Sequence, residues 1–206
     1  MINHFFANPL SFLIVFPGLL LTITIHEFAH SWMADRLGDP TPRIKGRLTL
    51  DPRAHLDPLG VIAILLTRFG WGKPAPYDPY NLKEPVRDTA LIAAAGSGSN
   101  LLTALALSLI INIPPFPISW ISLALAQILV INVYLALFNL LPIGPLDGTK
   151  ILTALLPKKL AYDYERFMEK NGLFLLILLV MPLINGQSLA SRLIASPAQI
   201  IISALL

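Results

Sequence analysis

Cysteine is absent from this 206-residue chain. Disulfides and thiolate metal sites are therefore excluded, and any metal must be held by imidazole or carboxylate groups. Charge is scarce as well: Lys, Arg, Asp and Glu make up 13% of the residues against 55% hydrophobic ones, and the mean hydropathy is +0.68. Soluble domains carry roughly 25% charged residues. The imbalance excludes an ordinary soluble core and marks an integral membrane protein. The net charge of +3 is modest, reflects basic loops and gives no ground for a nucleic-acid partner. No second copy of the first half is visible, which weighs against a transporter built from repeated broken helices. The N-terminal run has neither a basic flank nor a small-residue cleavage pattern, so no cleavable leader is expected.

What is present centres on Ile25-His26-Glu27-Phe28-Ala29-His30, which follows a run from Leu10 to Ile25 without an ionisable side chain. If that run continues as a helix through Met33, His26 and His30 project from one face, one turn apart, at the spacing a single divalent metal needs. Glu27 stands about 100° round the helix from His26 and can reach a metal-bound water without ligating the ion. The pattern points to a zinc hydrolase with Glu27 as general base. A buried polar contact between helices is the plainer alternative. It leaves unexplained a cost of about 2.5–3.5 kcal/mol for each ionisable residue placed in a membrane helix.

Taken in order, Pro9 to about Ala34 reads as a first spanning helix that Pro17 and Gly18 can kink. Leu37 to Asp57, rich in Arg, Lys, Pro and Gly, reads as extended strands in a polar connection. Leu59 to Leu66 is apolar but too short to span, which suggests a re-entrant or interfacial half-helix, and Trp71 to Tyr77 suggests a second extended loop. Asp88 to about Ile113 and Ser119 to Leu141 are further spanning helices, separated by a turn at Pro114, Pro115 and Pro117. Thr149 to Leu156, a polar stretch from Lys158 to Lys170 and a shorter membrane segment from Leu173 to Ile184 follow. The tail from Ser188 to Leu206 is apolar, either interfacial or spanning. The expected class is an all-α membrane protein of about four to six transmembrane or re-entrant helices, with short extended β segments in the loops on the cytoplasmic side. The expectation is one domain, with a catalytic core over about residues 8–156 and C-terminal helices over 157–206. Nine of the fifteen Lys and Arg lie between Arg36 and Arg87 and five between Lys150 and Lys170. The positive-inside rule then places the C-terminal end of the first helix, with His26 and His30, toward the cytoplasm.

A catalytic zinc takes three protein ligands and keeps one open position, so the histidine pair needs a partner. Asp147 stands out because it lies in a proline-broken apolar stretch, Asn139 to Gly148, where irregular backbone must line a protected cavity. Capping of the helix that follows is its plainer role, and His55 is the competing third ligand.

His26-Glu27-Phe28-Ala29-His30 followed by Pro145-Leu146-Asp147-Gly148 resembles the site-2 protease family of intramembrane zinc metalloproteases. Gly46-Arg47-Leu48-Thr49-Leu50, His55-Leu56-Asp57-Pro58 and Phe138-Asn139-Leu140-Leu141-Pro142 resemble its compact bacterial and archaeal branch, which lacks added soluble domains. The resemblance implies zinc ligands at His26, His30 and Asp147, a catalytic Glu27, and cleavage of a membrane-embedded peptide segment, in the cell membrane of a prokaryote. Two departures touch the loops: Ala95-Gly96-Ser97-Gly98-Ser99-Asn100 stands where the family has Ala-Gly-Pro before a later Asn, and Gly144 replaces a usual proline. Asn139 is expected to donate to the oxyanion or to the substrate backbone, with satisfaction of its helix's last carbonyls as the alternative. Asn100 and His55 are candidate substrate contacts, and the segments around Thr41–Leu50 and Trp71–Tyr80 candidate edges for an unwound substrate strand. A non-catalytic metal-binding scaffold or a transporter is the competing class, which an intact Glu27 disfavours.

Overall fold

The apolar run that opens the chain forms one helix, α1 (Pro9–Arg36), with Pro17 inside it. Its end is set by Gly38, whose φ of 108° belongs to the region that favours glycine. That turn lets Asp39 N donate to Ala34 O at 3.0 Å and Gly38 N to Asp35 O at 3.2 Å, the paired bonds that satisfy a helix's last carbonyls. Arg36 lies in the last turn, 5.2 Å above the Trp32 ring.

The computed structural model describes residues 9–67, 70–113, 120–184 and 187–206. After α1 come two single turns, α2 (Thr41–Ile44) and α3 (Pro52–His55), then α4 (Pro58–Thr67), a 3₁₀ turn at Pro79–Asn81, and the long helices α5 (Pro85–Asn112) and α6 (Trp120–Asn139). The C-terminal third holds α7 (Asp147–Leu155), α8 (Lys158–Val180), the strand pair β1 (Pro182–Ile184) and β2 (Gln187–Ser188), and α9 (Leu189–Leu205). Among the described residues, three helices, Phe12–Arg36, Pro85–Asn112 and Trp120–Asn139, are long and apolar enough to cross a membrane. The chain is an all-α integral membrane protein.

The connection from Leu37 to Asp57, expected to be extended, folds instead into the turns α2 and α3. Each has a proline at its start, where a missing N–H costs nothing and the fixed φ suits a helix. Asp51 caps α3 by accepting from Arg53 N at 3.0 Å. The alternation from Ile44 to Leu50 is broken at Gly46, whose φ is 65°. The second expected loop is extended: Leu56 and Gly72 form an antiparallel bridge, and Lys73 N donates to His55 O at 2.7 Å. The polar stretch from Lys158 and the apolar one from Leu173 are a single helix, α8, which ends at Val180 rather than Ile184. The turn at Pro114, Pro115 and Pro117 lies outside the described residues.

The tail helix α9 lies along the bundle. Ala198 on α9 packs with Ala104 on α5 and with Leu129 and Val133 on α6. Between α1 and α6 the contact is partly polar, with Asn132 Nδ2 donating to Thr22 Oγ1 at 2.9 Å. A hydrogen bond of this kind holds membrane helices together where apolar burial gives no preference.

The linker from Pro142 to Leu146 is fixed from outside by α8. Tyr164 Oη donates to Pro142 O at 2.8 Å, Leu176 and Leu179 pack on Leu146, and Gly172 lies against Gly144, whose φ is 59°. A Cβ on Gly172 would stand 2.5 Å from Gly144 Cα. Because that atom is backbone, Gly172→Ala is expected to destabilise the fold by about 1–3 kcal/mol. Thermal unfolding in detergent micelles measures it, and an unchanged midpoint would contradict the contact.

Candidate metal centre

The helical spacing of α1 stacks His26 and His30, which meet edge to face with ring centroids 4.5 Å apart and an interplanar angle of 90°. Their Nε2 atoms are 3.0 Å apart. Asp147, at the first position of α7, brings Oδ2 to 3.3 Å from His26 Nε2 and 3.4 Å from His30 Nε2. Among the described residues, His26, His30 and Asp147 form the group of ligand atoms able to share one ion.

Donor spacing tests the fit to zinc. Four-coordinate zinc with bonds of about 2.0–2.1 Å holds its ligand atoms about 3.3–3.4 Å apart along the tetrahedron edges. The three separations match within a few tenths of an ångström. Asp147 Oδ2 is buried without a hydrogen-bond partner, and a carboxylate oxygen in that state needs a cation. Capping does not explain it: the N-cap of α7 is Leu146, and no side chain caps the helix.

Protonation at His30 follows from its neighbour. Nδ1 lies 2.7 Å from Ile92 O, and a carbonyl only accepts, so Nδ1 carries the proton and the Nε2 lone pair faces the group. Gly96, one turn beyond Ile92 on α5, clears room for both rings. A Cβ there would overlap His30 Cε1 and Nε2 and stand 2.7 Å from His26 Cε1.

Glu27 is held beside this group by the extended segment from Gly70 to Tyr77. Ala75 N donates to Glu27 Oε2 at 2.9 Å, and a Cβ on Gly72 would stand 3.2 Å from Glu27 Oε1. Arg47 clasps that segment. Its guanidinium donates to Lys73 O at 3.0 Å, to Pro74 O at 2.6 Å and to Ala54 O, and the residue is only 6% exposed. Stranding buried carbonyls costs about 1–3 kcal/mol, so Arg47→Met is expected to loosen the segment while zinc content stays unchanged. Faster chymotryptic cleavage after Trp71, which is exposed, is the readout, and Arg47→Lys is expected not to restore protection because an ammonium lacks the planar fork. Unchanged cleavage in Arg47→Met would contradict the clasp.

The other singled-out residues lie as follows. Asn139 Nδ2 donates to Leu135 O at 3.0 Å, one turn back on α6, which uses one amide hydrogen and leaves a second. His55 is fully buried, and Nε2 donates to Thr49 O at 2.7 Å, while Nδ1 has no partner. Burial keeps its imidazole below the ordinary histidine pKa. It stands outside the ligand group, joined to the Gly70–Tyr77 segment through its backbone carbonyl, which accepts from Lys73 N. Asn100 is fully buried, with its amide nitrogen 3.2 Å from His26 Nδ1. Ile92 and Ala75 escaped the sequence reading because they act through backbone atoms, and Arg47 entered it only within the Gly46–Leu50 motif and the count of basic residues, with no role of its own. Gly96 had a signal, a glycine in an apolar helix; the stretch from Ala95 to Asn100, expected to touch a loop, lies wholly within α5.

The family model described as Peptidase family M50 matches residues 116–179. The Bacillus subtilis (strain 168) protein YwhC, provisionally named a zinc metalloprotease, is 36% identical over 193 residues, covering 88% of this chain and 87% of its own length. Rip2 of Mycobacterium tuberculosis (strain H37Rv), provisionally named likewise, is 32% identical over 183 residues, with 85% and 70% covered. The zinc metalloprotease MJ0392 of Methanocaldococcus jannaschii is 26% identical over 160 residues, covering 75% of this chain and 38% of its own. No solved structure matches the chain.

Proposed function

The chain belongs to peptidase family M50, the site-2 protease family, and on that premise we propose that it is an intramembrane zinc endopeptidase that hydrolyses peptide bonds within or near transmembrane segments of membrane-protein substrates. The observation that carries this reading is the convergence of His26 Nε2, His30 Nε2 and Asp147 Oδ2 at zinc-ligand spacing among membrane-crossing helices. In this reading His26, His30 and Asp147 hold zinc, which when bound supplies an acidified water and a Lewis acid for the scissile carbonyl.

The chain's own groups do the rest. Glu27 accepts the proton of the attacking water and returns it to the leaving amine, one carboxylate serving both steps. The Ala75 N–H holds Oε2 and so sets the direction of the carboxylate. The second N–H of Asn139 is the candidate donor to the oxyanion or to the substrate backbone. The extended part of the segment, from Trp71 to Asp78, is the candidate edge for an unwound substrate, whereas α2 removes the first part of Thr41–Leu50, and the 3₁₀ turn removes Pro79 and Tyr80, from that role. Residues 1–206 are taken as one domain. The basic connection that begins at Arg36, less than two turns after His30, supports a site facing the cytoplasm in a prokaryotic cell membrane.

Reconstitution tests the function. Purified protein in liposomes, given a candidate single-span membrane protein, is expected to yield products whose new termini, mapped by mass spectrometry, fall within or beside the span. Chelation should stop the reaction and zinc restore it. Protein that binds zinc yet cleaves no spanning substrate would favour a non-catalytic scaffold.

A further inference from the structure

We propose that Asn100 is a positioning residue for the metal: its side-chain carbonyl accepts the Nδ1 proton of His26 and fixes the tautomer that presents the His26 Nε2 lone pair to the ion. The inference rests on the reading of His26, His30 and Asp147 as zinc ligands. An imidazole that ligates through Nε2 must carry its proton on Nδ1, and that proton needs an acceptor. At His30 the acceptor is Ile92 O, 2.7 Å away. At His26 the group facing Nδ1 is the Asn100 amide, at 3.2 Å.

The amide's orientation settles its role. With nitrogen toward His26, two donors meet once Nδ1 is protonated, and Asn100 Oδ1 is left buried without a partner. A half-turn of the amide exchanges two ends of nearly identical shape and gives the Nδ1 proton its acceptor. The other solution, with Nδ1 accepting from the amide, places a proton on His26 Nε2. That atom then points a hydrogen into the space between His30 Nε2 and Asp147 Oδ2 and cannot bind an ion.

Helical register makes the device continuous. Ile92, Gly96 and Asn100 follow one another at four-residue intervals on α5, opposite His26 and His30 at the same interval on α1. One stripe thus supplies an acceptor for His30, clearance for both rings and an acceptor for His26. Asn100 therefore lies behind the metal ligands, and the role of substrate contact given to it on sequence passes to that of support.

Zinc affinity of the full chain in detergent, measured by competition with a chromophoric chelator, tests this. Asn100→Leu, similar in volume but without an acceptor, is expected to bind zinc about 10–100-fold more weakly. Asn100→Asp keeps an acceptor and is expected to stay within about threefold of the unmodified protein, a rescue that a purely packing role does not predict. In the unmodified metal-free protein, where no ion dictates the tautomer, nitrogen-15 spectra of His26 should show the proton on Nδ1 rather than on Nε2, a measurement that needs no variant to fold. Full affinity in Asn100→Leu, equal weakening in both variants, or an unprotonated Nδ1 would overturn the inference. Asp147→Ala separates it from its premise: zinc retained there overturns the site itself, whereas zinc lost there with full affinity in Asn100→Leu overturns only the role of Asn100.

Discussion

Glu27→Gln is expected to lower the rate of peptide cleavage by about 10²–10⁴-fold while zinc content is unchanged. The substitution keeps the volume of the side chain and an oxygen able to accept the Ala75 N–H, which lies 2.9 Å from Oε2. It removes only the ability to take a proton from water. Because Glu27 stands outside the ligand group of His26, His30 and Asp147, the metal has no reason to leave. The loss corresponds to about 3–5 kcal/mol of transition-state stabilisation. Equal cleavage by Glu27→Gln and the unmodified protein would remove Glu27 from the mechanism, and loss of zinc in the variant would make it a ligand rather than a base.

Gly96→Ala is expected to weaken zinc binding by about 10–10²-fold, the equivalent of the 1–3 kcal/mol that one added methyl group costs in a filled space. The new carbon would overlap His30 Cε1 and Nε2 and crowd His26 Cε1 at 2.7 Å. Neither ring can swing aside freely, since His30 is tied to Ile92 O and His26 is backed by Asn100. Moving α5 outward instead would break those same ties. Gly98→Ala is the control: a Cβ there meets nothing within 4 Å, and alanine is the better helix former. Chelator competition on the two variants should show one weakened site and one unaffected. Equal affinity in both would mean that the imidazoles are not confined by α5.

How far the molecule was legible from its sequence differs between its parts. The helix bearing His26 and His30 was legible because an uninterrupted apolar run leaves no other backbone solution in a membrane, and a four-residue interval on a helix has one geometric meaning. Asp147 was legible as a misfit, a carboxylate in an apolar stretch broken by prolines. The connection from Leu37 to Asp57 was not: its alternating pattern suggests strands, while Pro42 and Pro52 open helical turns and Gly46 interrupts the alternation. The continuity of α8 was hidden by its change of character at Lys170, since a helix can be polar in one half and apolar in the other. The supports of the site were the least visible part. Ile92 and Ala75 contribute backbone atoms that any residue carries, and Arg47 reads as a surface cation although it is buried against carbonyl oxygens.

Zinc stoichiometry in the unmodified protein beside His26→Ala, His30→Ala and Asp147→Ala, by elemental analysis after exhaustive buffer exchange, puts the shared ligand group to its most direct trial. One zinc per chain in the first and little or none in the other three is the predicted outcome. Full occupancy in Asp147→Ala would contradict the account, because the third donor would then have to come from elsewhere.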